Sequence, residues 1–102
     1  MTRVLAIYTT PADKAAFDAH YFGTHVPLAR KIPGLRGMRV SASPPLAIAG
    51  PGPYLIAELD FDSMAAFNAG MATPEGQATA GDLANFAQAG VNVVAYETRD
   101  DT

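Results

Sequence analysis

Alternating apolar and polar positions predict four β-strands in this chain. The pattern is typical of strands with one buried face, and it covers residues 3–9, 35–42, 54–61 and 91–97. It is clearest in the third segment, where alternate positions are apolar from Leu55 to Phe61. We therefore expect one side of the sheet to face a core and the other side to face outward.

A helical stretch lies between the first and second strands. Thr10 has the side chain of a helix N-cap and Pro11 fits the first helical position, so we expect the helix to begin there. Pro27 predicts a break, because proline disfavours helix at the residue before it. The helix is then expected to restart as a short piece over residues 28–32.

A second helical stretch lies between the third and fourth strands. Asp62 or Ser63 is expected to cap its first helix. Thr73 followed by Pro74 has the cap-then-proline pattern again, so we expect another helix to begin there. This last helix is expected to end before Gly90.

The resulting order, β-α-β-β-α-β, is that of the ferredoxin-like split β-α-β motif. It predicts an α+β fold for residues 1–102 as a single domain, with a four-stranded antiparallel sheet and helices on one face. The other face would carry apolar residues such as Ile56 and Val93. Because exposed apolar patches mark association surfaces, we expect a homodimer in which two sheets pack face to face.

The segment between the second and third strands is expected to be irregular. Residues 43–53 contain four prolines, which are incompatible with a strand ladder. Because the segment also carries Leu46 and Ile48, we expect it to form a mobile lid or a dimer contact.

Composition narrows the classes of function. The chain has no cysteine, which excludes disulfides, zinc fingers and thiol nucleophiles, and its net charge of −3 argues against a nucleic-acid partner. No apolar run approaches the ~20 residues that span a bilayer, and no signal-peptide pattern is present, so we expect a cytoplasmic protein without a membrane partner. Twenty of the 102 residues are alanine, whose side chain buries little apolar surface. We therefore expect a thin core that is stabilised by self-association.

Two histidines are the candidates for acid–base chemistry near neutral pH. On an α-helix His20 and His25 lie about 140° apart, so they cannot share a target unless the helix breaks between them. We expect His20 to face solvent and His25, next to the break at Pro27, to point into a cavity. The alternative for His25 is a capping or packing role. Their spacing does not fit a metal site.

Tyrosine and aspartate side chains offer further hydrogen bonds. Tyr8, Tyr21, Tyr54 and Tyr96 are potential donors to a developing enolate, or else ordinary packing residues. Asp82 could orient a histidine or bind a ligand hydroxyl, or it could be a solvated residue of a helix.

Motifs in both halves of the chain carry a family resemblance. They are, in order, Phe17-x3-Tyr21-x3-His25-x-Pro27-Leu28, Ile32-Pro33-Gly34-Leu35, Thr73-Pro74-Glu75-Gly76 and Asp82-Leu83-x2-Phe86. In this order and spacing they resemble the EthD family over nearly the whole chain. The resemblance implies a dimeric α+β barrel in which His25 lies in a cavity between sheet and helices, with Tyr21 nearby and Asp82 as a neighbour.

The family is named after a locus for degrading an ether fuel additive, and its fold relatives include cofactor-free monooxygenases, lactone isomerases and polyketide cyclases. We expect a cofactor-independent enzyme, without a metal, in which His25 and Tyr21 act by acid–base chemistry on a small hydrophobic or aromatic carbonyl compound. The reaction would be an isomerisation, a cyclisation or a cofactor-free oxidation of the monooxygenase type. The substrate is expected to contact Tyr8, Tyr54, Asp82 and Phe86. The alternatives are a non-catalytic protein that binds a hydrophobic metabolite and an interaction module without a ligand.

Overall fold

The elements of the protein follow the predicted order. The structure is a computed structural model that describes residues 1–101. Its elements are β1 (Thr2–Tyr8), α1 (Lys14–His20), a π-helical segment (Tyr21–His25), α2 (Val26–Ala29), β2 (Gly37–Val40), β3 (Leu55–Phe61), α3 (Met64–Met71), α4 (Pro74–Phe86) and β4 (Val91–Glu97). Within residues 1–101, no helix is long and apolar enough to cross a membrane.

The four strands form one antiparallel sheet in the order β2-β3-β1-β4, which confirms the ferredoxin-like fold. Paired residues share a face of the sheet, so the register identifies the side that the helices cover. Ala6, for example, pairs with Ala57 of β3 and Val93 of β4. Val4 and Tyr8 alternate with the partly exposed residues of β1 and are buried beside Ala6 on this face.

The open face of the sheet differs from the expectation at Val93. Because Val93 pairs with the buried Ala6, it lies on the helix-covered face, and its assignment to the open face is wrong. Side chains alternate along a strand, so the open face carries Val94 and Tyr96 instead. These two side chains are 47% and 41% exposed. The open face therefore has apolar residues as predicted, but different ones on β4.

An ion network crosses the open face beside these residues. Asp60 of β3 is buried between two guanidinium groups. Its Oδ1 lies 2.9 Å from Nε of Arg3, and its Oδ2 lies 2.6 Å from Nη2 of Arg39. Hydrogen bonds from Arg3 and Arg39 lower the pKa of Asp60. The network joins three neighbouring strands, so it fixes their side chains in one arrangement.

The first helix begins later than predicted. Asp13, and not Thr10, is the N-cap of α1, and its side chain accepts a hydrogen bond from the Ala16 amide at 3.0 Å. The Thr9 amide donates to the carbonyl of Gly90 at 3.0 Å. This bond ties the chain that leaves β1 to the turn before β4, and the helix starts only beyond it.

The last two helices begin where the sequence predicted. Ser63 caps α3 and Thr73 caps α4, each by accepting a hydrogen bond from a backbone amide three residues later. The two helices approach closely at Gly76, where an added Cβ would lie 2.3 Å from the carbonyl oxygen of Gly70. Only glycine fits this contact.

The helix does not break at Pro27, contrary to the prediction. Val26 keeps helical dihedral angles (φ −59°, ψ −46°), and its amide donates to the carbonyl of Tyr21, five residues earlier. In an α-helix the proline ring would clash with the carbonyl of Gly23, four residues before it. The wider π-helical turn relieves that clash, so the chain runs from α1 into α2 without leaving the helical region.

The connection after β2 is irregular, as expected. β2 is shorter than the predicted 35–42, and no strand or helix occurs between Val40 and Leu55. Leu46 and Ile48 are 87% and 92% exposed within the single chain. The proposed role of this segment as a lid or dimer contact remains a prediction.

Aromatic rings fill the space where the helical stretches meet the sheet. Tyr8 of β1, Phe17 of α1, Tyr21 and Phe86 of α4 pack with centroid distances between 5.3 and 5.8 Å. These edge-on, tilted and stacked contacts are favourable for aromatic pairs. The cluster therefore holds the π-helical segment in place against both the sheet and α4.

Candidate active site

The π-helical segment brings the two histidines to one carboxylate. His20 precedes this segment and His25 ends it. Hydrogen bonds in a π-helix join residues five apart, so side chains at this spacing lie close together, whereas an α-helix would separate them by about 140°. Both rings reach Asp82 of α4. The expectation that His20 faces solvent is wrong, since its side chain is only 30% exposed and is bonded to Asp82.

Asp82 is buried and surrounded by hydrogen-bond donors. Its Oδ2 lies 2.9 Å from Nδ1 of His25, and its Oδ1 lies 2.9 Å from Nδ2 of Asn85. Nε2 of His20 lies between the two oxygens, 2.9 Å from Oδ1 and 3.0 Å from Oδ2. Burial disfavours the charged carboxylate, but the hydrogen bonds from Asn85, His20 and His25 outweigh burial and lower the pKa of Asp82.

The charge of Asp82 determines which nitrogen of His25 carries hydrogen. An ionised carboxylate only accepts hydrogen bonds, so the facing Nδ1 must be protonated. Burial lowers the pKa of His25, and the hydrogen bond that its Nδ1–H donates to Asp82 opposes this change without cancelling it. At neutral pH the ring is therefore uncharged, with its Nε2 lone pair not used by Asp82. This is the form of histidine that acts as a general base.

His25 lines a cavity of about 260 Å³ between the sheet and the helices. Tyr8, Tyr21 and Thr79 are the other lining residues with polar side-chain atoms, and the remaining residues are apolar. The hydroxyl of Thr79 donates to the Glu75 carbonyl at 2.9 Å, so it is already partnered within α4. The polar groups that a ligand would meet are therefore His25 and the two tyrosines.

The hydroxyl of Tyr21 is buried and has no hydrogen-bond partner within residues 1–101. Roughly 90% or more of buried polar groups are bonded, so an unpartnered one needs an explanation. The side chain is 0% exposed, lines the cavity and stacks on the His25 ring at 5.6 Å. Burial raises the pKa of Tyr21 and of Tyr8, so both phenols stay protonated at neutral pH. A ligand oxygen in the cavity would satisfy the Tyr21 hydroxyl.

The structure brings together most of the predicted site residues. His25, Tyr21 and Tyr8 line the cavity. Asp82 lies behind His25 and contacts it through Nδ1, so it reaches a ligand only through that ring. Phe86 supports the rings rather than lining the cavity, with its centroid 4.7 Å from that of His25.

Tyr54 is not brought to the cavity, contrary to the prediction. It lies just before β3, where its ring packs edge-on against Phe17 at 5.3 Å. Its hydroxyl donates to Oδ1 of Asp18 at 2.9 Å. Tyr54 therefore ties α1 to the sheet, and its hydroxyl already has a partner.

Two residues near the site were not predicted from the sequence. Asn85 bonds to Asp82, and Thr79 lines the cavity. Each is three residues from Asp82 on α4, and residues three apart share a helix face. The spacing predicts that Thr79 and Asn85 lie on the same face of α4 as Asp82. It does not predict that this face is the one that contacts His25.

Comparison with known proteins identifies the family. The EthD domain model matches residues 9–90. An uncharacterized 11.0 kDa protein in the thcB-thcC intergenic region of Rhodococcus erythropolis is 43% identical over 94 residues, which are 92% of this chain and 91% of that protein. The crystal structure of an EthD family protein from Bacillus halodurans has a TM-score of 0.88 at 38% identity, covering 97% of this chain and 99% of that chain.

Solved structures of lower identity share the fold alone. SnoaB, a cofactor-independent oxygenase from Streptomyces nogalater, has a TM-score of 0.67 at 15% identity, covering 98% of this chain and 94% of its own. A dimeric ferredoxin-like protein of unknown function from Thermobifida fusca has a TM-score of 0.70 at 16% identity, covering 95% and 90%. The domain match and the two more similar relatives each span most of the chain, and on that basis it belongs to the EthD family.

Proposed function

We propose that this protein is a cofactor-independent enzyme in which His25 is the general base for a small, mostly apolar carbonyl or phenolic compound. The observation that carries the proposal is the pairing of two unused polar groups in one apolar cavity. These groups are the unpartnered hydroxyl of Tyr21, a donor, and the Nε2 lone pair of His25, an acceptor.

The reaction begins with the removal of one proton. Nε2 of His25 takes a proton from the carbon next to a carbonyl group, and the electrons of that C–H bond form a C=C bond. The carbonyl π electrons move onto oxygen, which becomes an enolate and accepts a hydrogen bond from Tyr21. Where the enolate is conjugated with a further C=C bond, return of the proton from His25 to the far carbon of that bond completes an isomerisation. Attack of the enolate carbon on a second carbonyl forms a ring and an alkoxide, and transfer of the proton from His25 to this alkoxide completes a cyclisation. Oxygenation would additionally need dioxygen as a co-substrate.

The size of the cavity limits the substrate. An apolar cavity of about 150 Å³ holds one benzene ring. The cavity here is about 260 Å³, so it has room for a bicyclic ring system. Since its unused polar groups lie on one wall, with Tyr21 stacked on His25, the substrate should carry its oxygen at one end and be apolar elsewhere.

Exchange of the α-hydrogens of 2-tetralone in D₂O tests the proposal without knowledge of the natural substrate. This bicyclic ketone has acidic C–H groups beside its carbonyl, and NMR follows their replacement by deuterium. The protein should accelerate the exchange over buffer alone. His25→Gln should abolish the acceleration, and Tyr21→Phe should reduce it ~10²-fold or more, as loss of an oxyanion donor does. Tyr54→Phe, which removes a hydroxyl outside the cavity, is the matched control and should behave as wild type.

A binding protein for a hydrophobic metabolite is the second candidate, and the mostly apolar lining of the cavity favours it. Such a protein would need the cavity but no base. Binding of 2-tetralone without accelerated exchange would support it and count against catalysis by enolisation. Equal exchange in wild type and His25→Gln would reject His25 as the base.

We also propose that the protein is a homodimer through the open sheet face. The exposed Val94 and Tyr96 support this arrangement, and a pair of sheets would cover them. Sedimentation should show a dimer at micromolar concentration. Val94→Lys should weaken association, because it places a charge on the apolar open face that the partner would cover, whereas Gln88→Lys at an exposed position just after α4 should not. A stable wild-type monomer would contradict the proposal.

A further inference from the structure

His20 contacts the acid–base pair without lining the cavity. Its Nε2 bonds to both oxygens of Asp82, at 2.9 and 3.0 Å, and its ring stacks on Phe86 with centroids 5.3 Å apart. Because the ionised carboxylate can only accept, Nε2 of His20 is the donor in this contact. His20 is thus bonded to the oxygen, Oδ2, that also accepts from His25.

Because Asp82 also accepts hydrogen bonds from His20 and Asn85, it stabilises the charged form of His25 less than it otherwise would. A carboxylate bonded only to His25 would direct its whole charge at that ring and favour the imidazolium form, which has no lone pair for a substrate proton. Donors from His20 and Asn85 draw part of that charge away. The other titratable groups around His25 are the phenols of Tyr8 and Tyr21, which are uncharged at neutral pH.

We propose that His20 is a positioning residue that shares Asp82 and thereby keeps His25 in its uncharged form, with Nδ1–H on Asp82 and Nε2 free for the ligand. Only the benefit of this role to catalysis rests on the proposed function. The contact itself exists in the protein without a ligand, so it can be tested whether or not an activity is found.

Two substitutions at His20 distinguish the effect of its hydrogen bond to Asp82 from the effect of its ring. His20→Gln keeps an N–H donor at nearly the same reach but removes the ring and its capacity for charge. His20→Phe keeps a ring to stack on Phe86 but removes the donor. Asn85→Ala removes another hydrogen-bond donor to Asp82. Because Asn85 is exposed, this variant should fold even if His20→Phe does not, and it tests the same effect on His25.

The measurement is the ¹⁵N NMR titration of the His25 ring in ligand-free protein labelled at histidine. We expect His20→Phe to raise the titration midpoint of His25 by about one pH unit, since Asp82 is then shared by one donor fewer. Asn85→Ala should shift it in the same direction. His20→Gln should leave both the midpoint and the Nδ1–H tautomer as in wild type.

Two results would overturn the proposal. Equal midpoints in wild type and in the donor-deleting variants would mean that sharing Asp82 has no effect on His25. Equal shifts in His20→Phe and His20→Gln would mean that the imidazole acts through its own charge and not through the bond. Failure of the 2-tetralone assay would reject the proposed enzyme function but would leave this titration result standing, so the two failures are distinguishable.

Discussion

Tyr21→Phe should make the protein more stable while it impairs the site. The substitution removes one oxygen atom and leaves the ring, which packs on Tyr8, Phe17 and Phe86, unchanged. That oxygen is buried and has no partner within residues 1–101, so folding strips it of water without replacing the lost hydrogen bonds. A hydroxyl with a hydrogen-bond partner would show the opposite sign.

The size of the gain follows from the desolvation of one hydroxyl. An unsatisfied buried polar group costs about 1–3 kcal/mol. Little packing is lost in return, because Tyr21 already borders the cavity of about 260 Å³. We expect a net gain near the lower bound, about 1 kcal/mol, which raises the unfolding temperature by roughly 4–8 °C in a domain of this size.

Urea and thermal unfolding measure this gain in the free energy of unfolding. All variants are compared at one protein concentration, because association changes apparent stability. Tyr54→Phe is the matched control with the opposite expectation. Its hydroxyl donates to Asp18 at 2.9 Å, so its loss should lower the free energy of unfolding. If Tyr21→Phe is destabilising by as much as Tyr54→Phe, the Tyr21 hydroxyl has a partner in solution and the reasoning is refuted.

Three further predictions concern the carboxylate, the buried imidazole and the helix contact. Asp82→Asn should slow 2-tetralone exchange on the order of 10³–10⁴-fold, because an amide can hold His25 in the wrong tautomer; unchanged exchange would contradict this. The free energy of unfolding should fall as the pH drops below about 6.5, the ordinary pKa of histidine. The pKa of His25 is lowered in the folded protein, so in this pH range the unfolded chain binds a proton that the folded protein does not. Urea titrations at pH 7.5 and 5.5 test this, and equal stability would argue against a buried neutral ring. Gly76→Ala should cost about 1–3 kcal/mol, since its Cβ would lie 2.3 Å from the Gly70 carbonyl, whereas Gly81→Ala, with open space around it, should stabilise α4 by about 0.5–1 kcal/mol. Similar effects of the two alanines in urea unfolding would show that the helices do not meet as described.

The elements with strong local signals were predictable from the sequence. Alternation located β3 and β4 to within a residue, and the caps Ser63 and Thr73 were recognised. These signals depend on neighbours within a few residues, so no knowledge of the fold is needed to interpret them. The predicted cap at Thr10 failed because a distant bond, from Thr9 to the turn before β4, decides where α1 begins.

The geometry of the site depends on features that local patterns do not contain. An α-helical period predicts that His20 faces solvent, but the π-helical segment changes that period between His20 and His25. A proline inside a helical stretch predicts a break, but the same wide turn accommodates Pro27. Alternation alone does not decide the face of Val93, because that face depends on the register of β4 with β1. Each error concerns an orientation set by tertiary contacts.

The position of β4 at the edge of the sheet bears on aggregation. Its outer row of backbone amides and carbonyls has no partner strand within residues 1–101, and Val93, on the face opposite the proposed dimer contact, is 50% exposed. Such edges are templates for pairing with another chain, and natural proteins guard them with nearby charges. Asp100 and Asp101 follow this strand closely. Replacing both by asparagine should leave the fold intact but speed fibre formation on mild heating, which thioflavin fluorescence would follow.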